Sequence, residues 1–430
     1  MGKAIFCIVL PIIHKLTMPI VKPFCALKPA TPLLADVVIR PLENYSPEDV
    51  KAIALKHLHS FLHLINPALE NPFLRGTKQE LIYKKINENL ESFIEQRVLE
   101  RYEKPGLYLY RVIHDGLIQT GIWTLTHVDD YLTGKIKKHE STVQEREKLL
   151  AEYLQQTGID ANPVLITYAP HQAIESITER YMALAPDLNF AMQGSRHQVW
   201  AIDDETDLAV LTDAFASIPY VYIADGHHRI ASMAKMAMHK RALNGDKHNG
   251  TELYNYLTTV YMNTQQVKVL EFNRLVRDLG ALTKEEFLAN LSHSFDVELA
   301  STPVMPAELH TLGMYLSKQW YILKPKDKLY DDVDPVNLLD VSLLQKFILS
   351  PILQIGNPRT DARISFEGGR TPIEALQEKV DSGAYALAFT LFPVSIAQVV
   401  AVADAQGVMP PKSTWVEPKF LTGLLTNYFN

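Results

Sequence analysis

The residues best suited to chemistry form one short run, Asp225–Arg229, with the sequence Asp-Gly-His-His-Arg. It lies between an apolar segment typical of a strand, 220–224, and a helix predicted over 230–243. At such a helix start, unpaired N–H groups and the positive end of the macrodipole attract an anion. Glycine permits close backbone approach, while imidazole and guanidinium groups donate hydrogen bonds to phosphate oxygens. We therefore predict that a nucleotide phosphate is bound by Gly226, His227, His228 and Arg229.

Two other interpretations of this run are weaker. A polar turn with surface histidines is the usual meaning of so short a motif, but it does not explain why strand, glycine and anion-compatible side chains occur together. A zinc site is disfavoured because adjacent histidines do not share a helix face, and His239 lies about 16 Å beyond His228 along a helix. Asp225 could orient one imidazole or help to hold a divalent ion, and we assign it to catalysis.

A second polar run, 137–142, reads Lys-Lys-His-Glu-Ser-Thr. Phosphoryl transfer to a hydroxyl needs cations that offset the charge on the transferring group and a carboxylate that accepts or orients the alcohol proton. We predict that Glu140 and Lys138 are catalytic and that Lys137 binds the nucleotide. Taken alone, such a run is typical of a charged loop facing water, so the prediction requires that it meet the first run in space.

Two further segments could add cations to the same site. In 356–370, which holds three arginines and a Gly-Gly pair, we predict that Arg359 clamps phosphate, although a capped turn explains its Pro-Arg-Thr-Asp part equally well. In 408–419, Lys412 precedes Ser and Thr as in a P-loop, but a proline stands where that loop needs glycine. We predict Lys412 as a nucleotide contact; the alternative is a strand connection with Trp415 in the core. No Gly-x-Gly-x-x-Gly or Gly-x-Ser-x-Gly motif occurs, which argues against Rossmann and hydrolase-elbow sites.

Helical and strand-like segments alternate along the chain, which predicts an α/β fold of mixed layers. Helices are predicted at 47–59, 79–96, 143–157, 174–184, 205–217, 230–243, 284–293, 341–353 and 395–405. Strands are predicted at 164–168, 198–202, 220–224, 254–261, 267–272 and 386–391, with hairpins at 107–126, around an Asp-Gly turn, and at 312–323. We expect an N-terminal α/β region over 18–135, a core region with the Asp-Gly-His-His-Arg run over 136–300 and a C-terminal α/β region over 301–430.

The composition is that of a globular protein. Of 430 residues, 47% are apolar and 21% charged, and the net charge of −7 argues against a protein that coats nucleic acid. Two cysteines leave no disulfide framework and indicate a reducing, cytoplasmic setting. No apolar stretch reaches the length of a membrane span. Residues 1–17 read as a disordered extension or the product of an upstream start, with Met18 as the natural first residue.

The ordered motifs of the chain resemble those of the bacterial and archaeal family known as domain of unknown function 1015. The matching segments are 22–24, 61–63, 119–121, 137–140, 222–229, 340–345, 358–361 and 409–415. One segment departs from the family pattern, because Arg40-Pro41-Leu42-Glu43 stands where the family usually has Pro-Pro-Tyr-Asp. If the family aspartate serves catalysis or binds metal, Glu43 replaces it at a longer reach or the activity of this member is altered.

The Asp-Gly-His-His-Arg run is similar to the phosphate-binding box of the ParB and sulfiredoxin-like fold, whose members include nucleotide-dependent kinases of free serine. The resemblance implies a ParB/sulfiredoxin-like nucleotide-binding core with extra N- and C-terminal α/β parts. It also implies ATP or ADP with Mg²⁺ as cofactors, phosphates held by residues 226–229, and Glu140 as the base. We do not expect sulfiredoxin activity, since that chemistry needs a cysteine in the box and this chain has histidine at that position.

The motifs and the resemblance together imply three possible functions. The first is a nucleotide-dependent kinase that phosphorylates the hydroxyl of a small metabolite, with free serine as the leading acceptor. The second is a ParB-like nucleotide-binding switch or regulator, against which the acidic pI and the lack of a basic recognition helix count. The third is a silent nucleotide or metabolite binder. We expect no membrane and no nucleic acid as partner, and the patterns are compatible with a homodimer.

Overall fold

A computed structural model describes residues 19–69, 74, 78–327, 329–330 and 333–430 of the protein. The extension or upstream start predicted at residues 1–17 lies outside these described residues. No helix in the described part of the chain combines the length and the apolar character that crossing a membrane requires.

Helices and strands alternate through most of the described chain. The α-helices are α1 Leu34–Val37, α2 Pro47–Lys56, α3 Gln79–Glu95, α4 Val128–Leu132, α5 Gln144–Thr157, α6 Gln172–Met182, α7 Glu205–Ala216, α8 His227–Asn244, α9 Lys284–Ser294, α10 Asp340–Leu344, α11 Ile373–Asp381 and α12 Ile396–Asp404. The strands are β1 Val21–Lys22, β2 Leu27–Pro29, β3 Leu99–Arg101, β4 Leu107–His114, β5 Leu117–His127, β6 Ile136–Lys137, β7 Ile159–Asp160, β8 Val164–Tyr168, β9 Leu188–Met192, β10 Ser195–Ile202, β11 Val221–Asp225, β12 Tyr256–Asn263, β13 Lys268–Leu270, β14 Phe272–Val276, β15 Phe295–Ala300, β16 Leu312–Leu316, β17 Gln319–Pro325, β18 Ile364–Gly368, β19 Leu387–Leu391, β20 Trp415–Glu417 and β21 Asn427–Tyr428. The prediction of a mixed α/β fold is confirmed, whereas the ParB/sulfiredoxin-like core stays a prediction.

Two large sheets organise the described residues. The first has the order β6-β11-β8-β12-β5-β4-β10-β9, with β1 also paired to β5. It is mainly antiparallel, but β11 runs parallel to β6 and β12 runs parallel to β8. The second sheet has the order β15-β17-β16-β19-β14-β18 and is antiparallel throughout. The predicted regions meet at residues 136 and 301. The first sheet contains strands from before and after residue 136, and the second contains strands from before and after residue 301, so the boundaries of the predicted regions do not separate the sheets.

The hairpin of β4 and β5 lies at the centre of the first sheet, and its turn has the geometry that Asp-Gly predicts. Asp115 and Gly116 have φ angles of 48° and 77°, which match the left-handed turn that suits the twist of a two-residue hairpin. Successive side chains of a strand point to opposite faces of the sheet. In β4, Leu109 therefore packs with the helices α5 to α8, whereas Tyr108 and Tyr110 pack on the opposite face. One face of the sheet is therefore covered by helices.

The other face is covered by the C-terminal part of the chain. Phe420, Leu424 and Leu425 are buried against the tyrosines of β4. Strand β20 pairs with β13, and Glu417 at its end accepts a hydrogen bond from Arg370 at 2.8 Å. This packing holds the segment 409–425 across the sheet, where it reaches the start of α8.

A buried carboxyl group in the second half of the chain gives a stability prediction. Asp340 accepts a hydrogen bond from the backbone N–H of His310 at 2.9 Å, while its other oxygen, Oδ2, is buried and has no hydrogen-bond partner among the described residues. Burial raises the pKa of this carboxyl to about 7 from the usual 3.8. The folded state therefore prefers the protonated acid, and the free energy of unfolding should fall as the pH rises through this interval.

We expect Asp340→Asn to remove this contribution, because the amide keeps the acceptor for His310 and carries no charge. Denaturant unfolding at several pH values should show the wild-type stability falling relative to the variant by up to about 4 kcal/mol between about pH 4 and 8. Parallel stability curves for the two proteins would contradict the prediction.

Candidate active site

The site begins where strand β11 leads into helix α8. Gly226 joins them with a φ angle of 100°, a conformation that favours glycine. Its carbonyl accepts hydrogen bonds from the N–H groups of Arg229 at 2.9 Å and Ile230 at 3.2 Å, so the first turn of α8 is closed onto the glycine. The strand also shifts register against β8 between Ile223 and Asp225. This bulge and the glycine together place the Asp225 side chain beside the helix start.

A methyl group at position 226 would have no free space. A Cβ atom there would lie 2.9 Å from the guanidinium of Arg229, in addition to the backbone strain. We expect Gly226→Ala to lower the free energy of unfolding by about 2 kcal/mol, of which left-handed strain accounts for about half. Gly250→Ala is the matched control, because Gly250 has a φ angle of 87° with nothing within 4 Å of a Cβ atom. Equal stability losses in urea unfolding would contradict the role of the Arg229 contact.

Asp225 lies between two cations. Its Oδ2 atom is 3.2 Å from Arg229 and 3.3 Å from the ammonium of Lys419, which comes from the C-terminal segment. Burial alone would raise the pKa of the Asp225 carboxyl, but the charges of Lys419 and Arg229 hold this pKa well below its usual range. Arg229 also donates to the side chain of Asn162 and the carbonyl of Pro163. The guanidinium of Arg229 is thus occupied by the protein itself, which suits positioning better than the predicted phosphate contact.

The second polar run meets the first at His227. Glu140 Oε2 lies 3.6 Å from His227 Nδ1, and the ring of His139 packs edge-on against that of His227 with centroids 4.4 Å apart. The backbone N–H of His139 makes a long contact of 3.5 Å with His227 Nε2. The side chain of His227 is almost wholly buried, whereas 26% of the Glu140 side-chain surface is exposed to solvent. Of these three side chains, Glu140 is therefore the most accessible to a substrate.

Charges around Glu140 act in opposite directions. Burial and the neighbouring carboxylate of Asp225 raise the pKa of Glu140, while Arg359 and Lys412 work against this rise. Burial lowers the pKa of His139 to about 4. Burial, together with the neighbouring ring of His139, holds the pKa of His227 well below its usual value. Burial therefore favours the neutral form of both imidazoles. Glu140 is a carboxyl whose proton affinity is higher than that of an ordinary surface glutamate.

His228 and two cations form the outer part of the site. His228 Nε2 accepts a hydrogen bond from the N–H of Val143 at 3.0 Å, and Arg359 donates to the carbonyl of Ser141 at 3.0 Å. The ammonium of Lys412 lies 5.0 Å from the ring of Phe272. Burial lowers the pKa of His228, and the charges of Arg359 and Lys412 contribute to this lowering. His228, Arg359 and Lys412 thus lie close enough together to interact through charge.

Two predicted residues lie away from this cluster. The ammonium of Lys137 is 2.6 Å from Asp404 and 4.0 Å from the ring centre of Tyr220. Lys138 is exposed and lies 5.9 Å from the ring of Tyr131. Because side chains alternate along the segment that starts with β6, His139 turns inward while Lys138 turns outward. The assignment of Lys137 and Lys138 to the site stays a prediction that these contacts do not support.

Two residues of the cluster were not among those predicted. His139 lies inside the second run, and its alternation with Lys138 was the signal that could have shown it facing inward. Lys419 lies at the end of the fourth segment, where its distance of 194 residues from Asp225 left no local signal. The C-terminal segment is also tied to the second run directly, since the N–H of Met409 donates to the carbonyl of His139 at 2.9 Å. Glu43, considered above as a substitute for the family aspartate, has a side chain outside the described part of the structure.

The solved structures that match the chain share little sequence with it. A free serine kinase in complex with AMP has a TM-score of 0.37 and 14% identity, with 69% of this chain and 88% of that chain covered. A conserved hypothetical protein from Pyrococcus furiosus has a TM-score of 0.35 and 14% identity, covering 69% of this chain and 91% of its own. SbnI with a C-terminal truncation, from Staphylococcus aureus, has a TM-score of 0.35 and 12% identity, covering 70% and 86%.

No curated protein matches the sequence. The family model described as protein of unknown function, DUF1015, matches residues 21–342, which include both polar runs that meet in the site. This match extends over more than half of the chain and agrees with the motifs found in the sequence. The chain belongs to the DUF1015 family.

Proposed function

We propose that the protein transfers a phosphoryl group from ATP or ADP to the hydroxyl of a small metabolite, with free serine as the first acceptor to test. The observation that carries this proposal is the meeting of the two polar runs, in which Glu140 lies 3.6 Å from His227. The start of helix α8, which is suited to binding phosphate, thus lies next to the partly exposed carboxyl group of Glu140. That is the combination that transfer to an alcohol requires.

The phosphates would lie at the start of α8. The N–H groups of His227 and His228 at the helix start offer donors that match phosphate oxygens. The imidazole of His228 and the cations Arg359 and Lys412 offer further donors. Arg229 would act as a positioning residue, because its bonds to Asp225 and Pro163 fix the strand and helix relative to each other. Asp225, held by Lys419 and Arg229, keeps these cations in place rather than taking part in proton transfer.

In the proposed reaction, the acceptor oxygen attacks the terminal phosphorus of the nucleotide. A new P–O bond forms to the acceptor while the bond to the bridging oxygen breaks, so that ATP leaves as ADP, or ADP as AMP. The acceptor proton passes to a carboxylate oxygen of Glu140. Mg²⁺, which prefers oxygen ligands and substrate phosphates, would offset phosphate charge, with Glu140 and Asp225 as the nearby carboxylates.

A direct assay separates this proposal from its alternative. The full chain is incubated with ATP or ADP, Mg²⁺ and a pool of hydroxylated metabolites that includes serine, and products are identified by mass spectrometry. A phosphorylated metabolite supports the kinase. Nucleotide binding without product, together with salt-sensitive retention of DNA, would favour the ParB-like switch instead. The same preparation in analytical ultracentrifugation tests a homodimer, and cell fractionation tests the cytoplasmic setting.

Removal of one cation tests the nucleotide site itself. We expect Lys412→Met to raise the nucleotide Kd about tenfold or more, because a charge-assisted hydrogen bond to phosphate is lost. Lys104→Met, at an exposed turn, serves as the control and should leave the Kd unchanged. Isothermal titration calorimetry measures both. Equal affinities of the two variants for nucleotide would place the phosphates away from Lys412.

A further inference from the structure

Three side chains at the centre of the site have the donors and spacing of a metal centre. One ligand atom from each of His139, Glu140 and His227 lies within 4.8 Å of the others. The 3.6 Å between Glu140 Oε2 and His227 Nδ1 is close to the separation of about 3.3 Å expected for two ligands bonded to one tetrahedral zinc ion. A small contraction would therefore bring these groups into coordination.

His139 supplies an independent sign of a missing ligand. The residue is 1% exposed, and neither Nδ1 nor Nε2 makes a hydrogen bond of good geometry within the described structure, although the backbone of Ile223 lies close to the ring. A buried polar group without a partner costs stability, and such groups are rare in folded proteins. The ring nevertheless packs against His227, beside the Glu140 carboxylate, rather than among apolar residues alone.

We propose that His139, Glu140 and His227 bind one divalent transition-metal ion of the zinc class, with the fourth position open. Two imidazoles and one carboxylate are the donor set of catalytic zinc sites, which leave a position for water or substrate. The partly exposed Glu140 places that position toward the site opening. This goes beyond the phosphotransfer proposal and does not depend on it: the ion would bind one carboxylate oxygen of Glu140, and the other oxygen could still accept a proton.

The surroundings favour zinc over the harder ions Mg²⁺ and Ca²⁺. Those ions need mainly oxygen ligands, whereas this cluster offers one carboxylate and two nitrogens. The surroundings of Glu140 are also positively charged, since Arg359, Lys412 and Lys419 lie nearby. Net negative charge therefore cannot hold a cation here, and strong bonds to the imidazole nitrogens must do so. Coordination through His227 Nδ1 would put the ring hydrogen on Nε2, and the 3.5 Å contact with the N–H of His139 would then lengthen.

Calorimetric titration of the chelator-treated full chain with ZnCl₂ tests the proposal. We expect one saturable site, and we expect His139→Phe, which keeps a ring of similar shape, to weaken zinc affinity at least about 100-fold. His239→Ala is the matched control, since His239 is an exposed residue on the same helix, α8, and lies outside the cluster. Zinc should also raise the Tm of the wild type and of the control, but not that of His139→Phe.

Two results would overturn the metal proposal. One is the absence of saturable zinc binding, and the other is binding that survives in a folded His139→Phe, which would then belong to other histidines. If His139→Phe does not fold, Co²⁺ substitution in the wild type decides, because a tetrahedral site gives intense visible absorption and weak surface binding does not. Nucleotide binding is measured separately, by titration in the presence of chelator. The failure of the metal proposal would therefore not decide the phosphotransfer proposal, which is tested by the product assay.

Discussion

Glu140→Gln is expected to lower the rate of phosphoryl transfer by about 10²–10⁴-fold while changing the nucleotide Kd by less than about threefold. The amide matches the carboxylate in size but cannot accept the acceptor proton. Burial and the neighbouring Asp225 raise the pKa of Glu140, which makes this carboxylate a stronger base than an exposed one. Single-turnover assays with saturating nucleotide measure the chemical step directly.

The control for this experiment is Glu145→Gln. Glu145 is an exposed residue in the first turn of α5, a few positions from Glu140, and it has no part in the proposed transfer. Its replacement should leave both rate and affinity unchanged. If Glu140→Gln retained the wild-type rate, another group would have to accept the proton, and the proposed role of Glu140 would be lost.

Gly423→Ala is expected to destabilise the protein by at least about 3 kcal/mol, more than the other glycine substitution considered above. Gly423 has a φ angle of 82°, and a Cβ atom there would lie 2.3 Å from the ring of Phe61. That ring is fully buried, so it cannot move aside without disturbing its neighbours. The adjacent residue, Thr422, exchanges backbone hydrogen bonds with Ile39 at 2.8 and 3.2 Å, which fixes the backbone as well.

The matched control is Gly383→Ala, because Gly383 has a φ angle of 79° and open space around a Cβ atom. Its replacement should cost only the strain of a left-handed alanine, about 1 kcal/mol. Urea unfolding of both variants measures the difference. Losses of equal size would mean that Phe61 relaxes freely, contrary to the packing described.

Local signals in the sequence were enough to position the main parts of the site. The Asp-Gly turn specified the central hairpin, and the change from an apolar strand to a helical period located the junction at Gly226. The missed strands include β9, β15 and β18, which are edge strands of their sheets. An edge strand is covered on fewer sides, so it lacks the apolar run by which a central strand is recognised.

Pairings between distant segments could not be predicted from one sequence. Lys137 has the residue type and neighbours of a phosphate ligand, yet it pairs with Asp404, 267 residues away. Arg229 likewise fits an anion site by type but is held by Asn162 and Pro163. The helix predicted over 341–353 is in fact the short α10 followed by a π-helical turn at Gln345–Leu349. In each case the outcome depends on contacts that the local pattern does not contain.

Lys412 and Lys419 lie near the Asp225–Arg229 run, which precedes them by about 190 residues in the chain. This separation has a consequence for biosynthesis. The ribosome completes strand β11 and helix α8 long before it adds the segment 409–419, whose backbone and ammonium groups contact His139 and Asp225. A nascent or prematurely terminated chain that lacks this segment therefore carries Asp225 with one cation instead of two. The site is therefore complete only after residue 419 has been added to the chain and has packed beside Asp225.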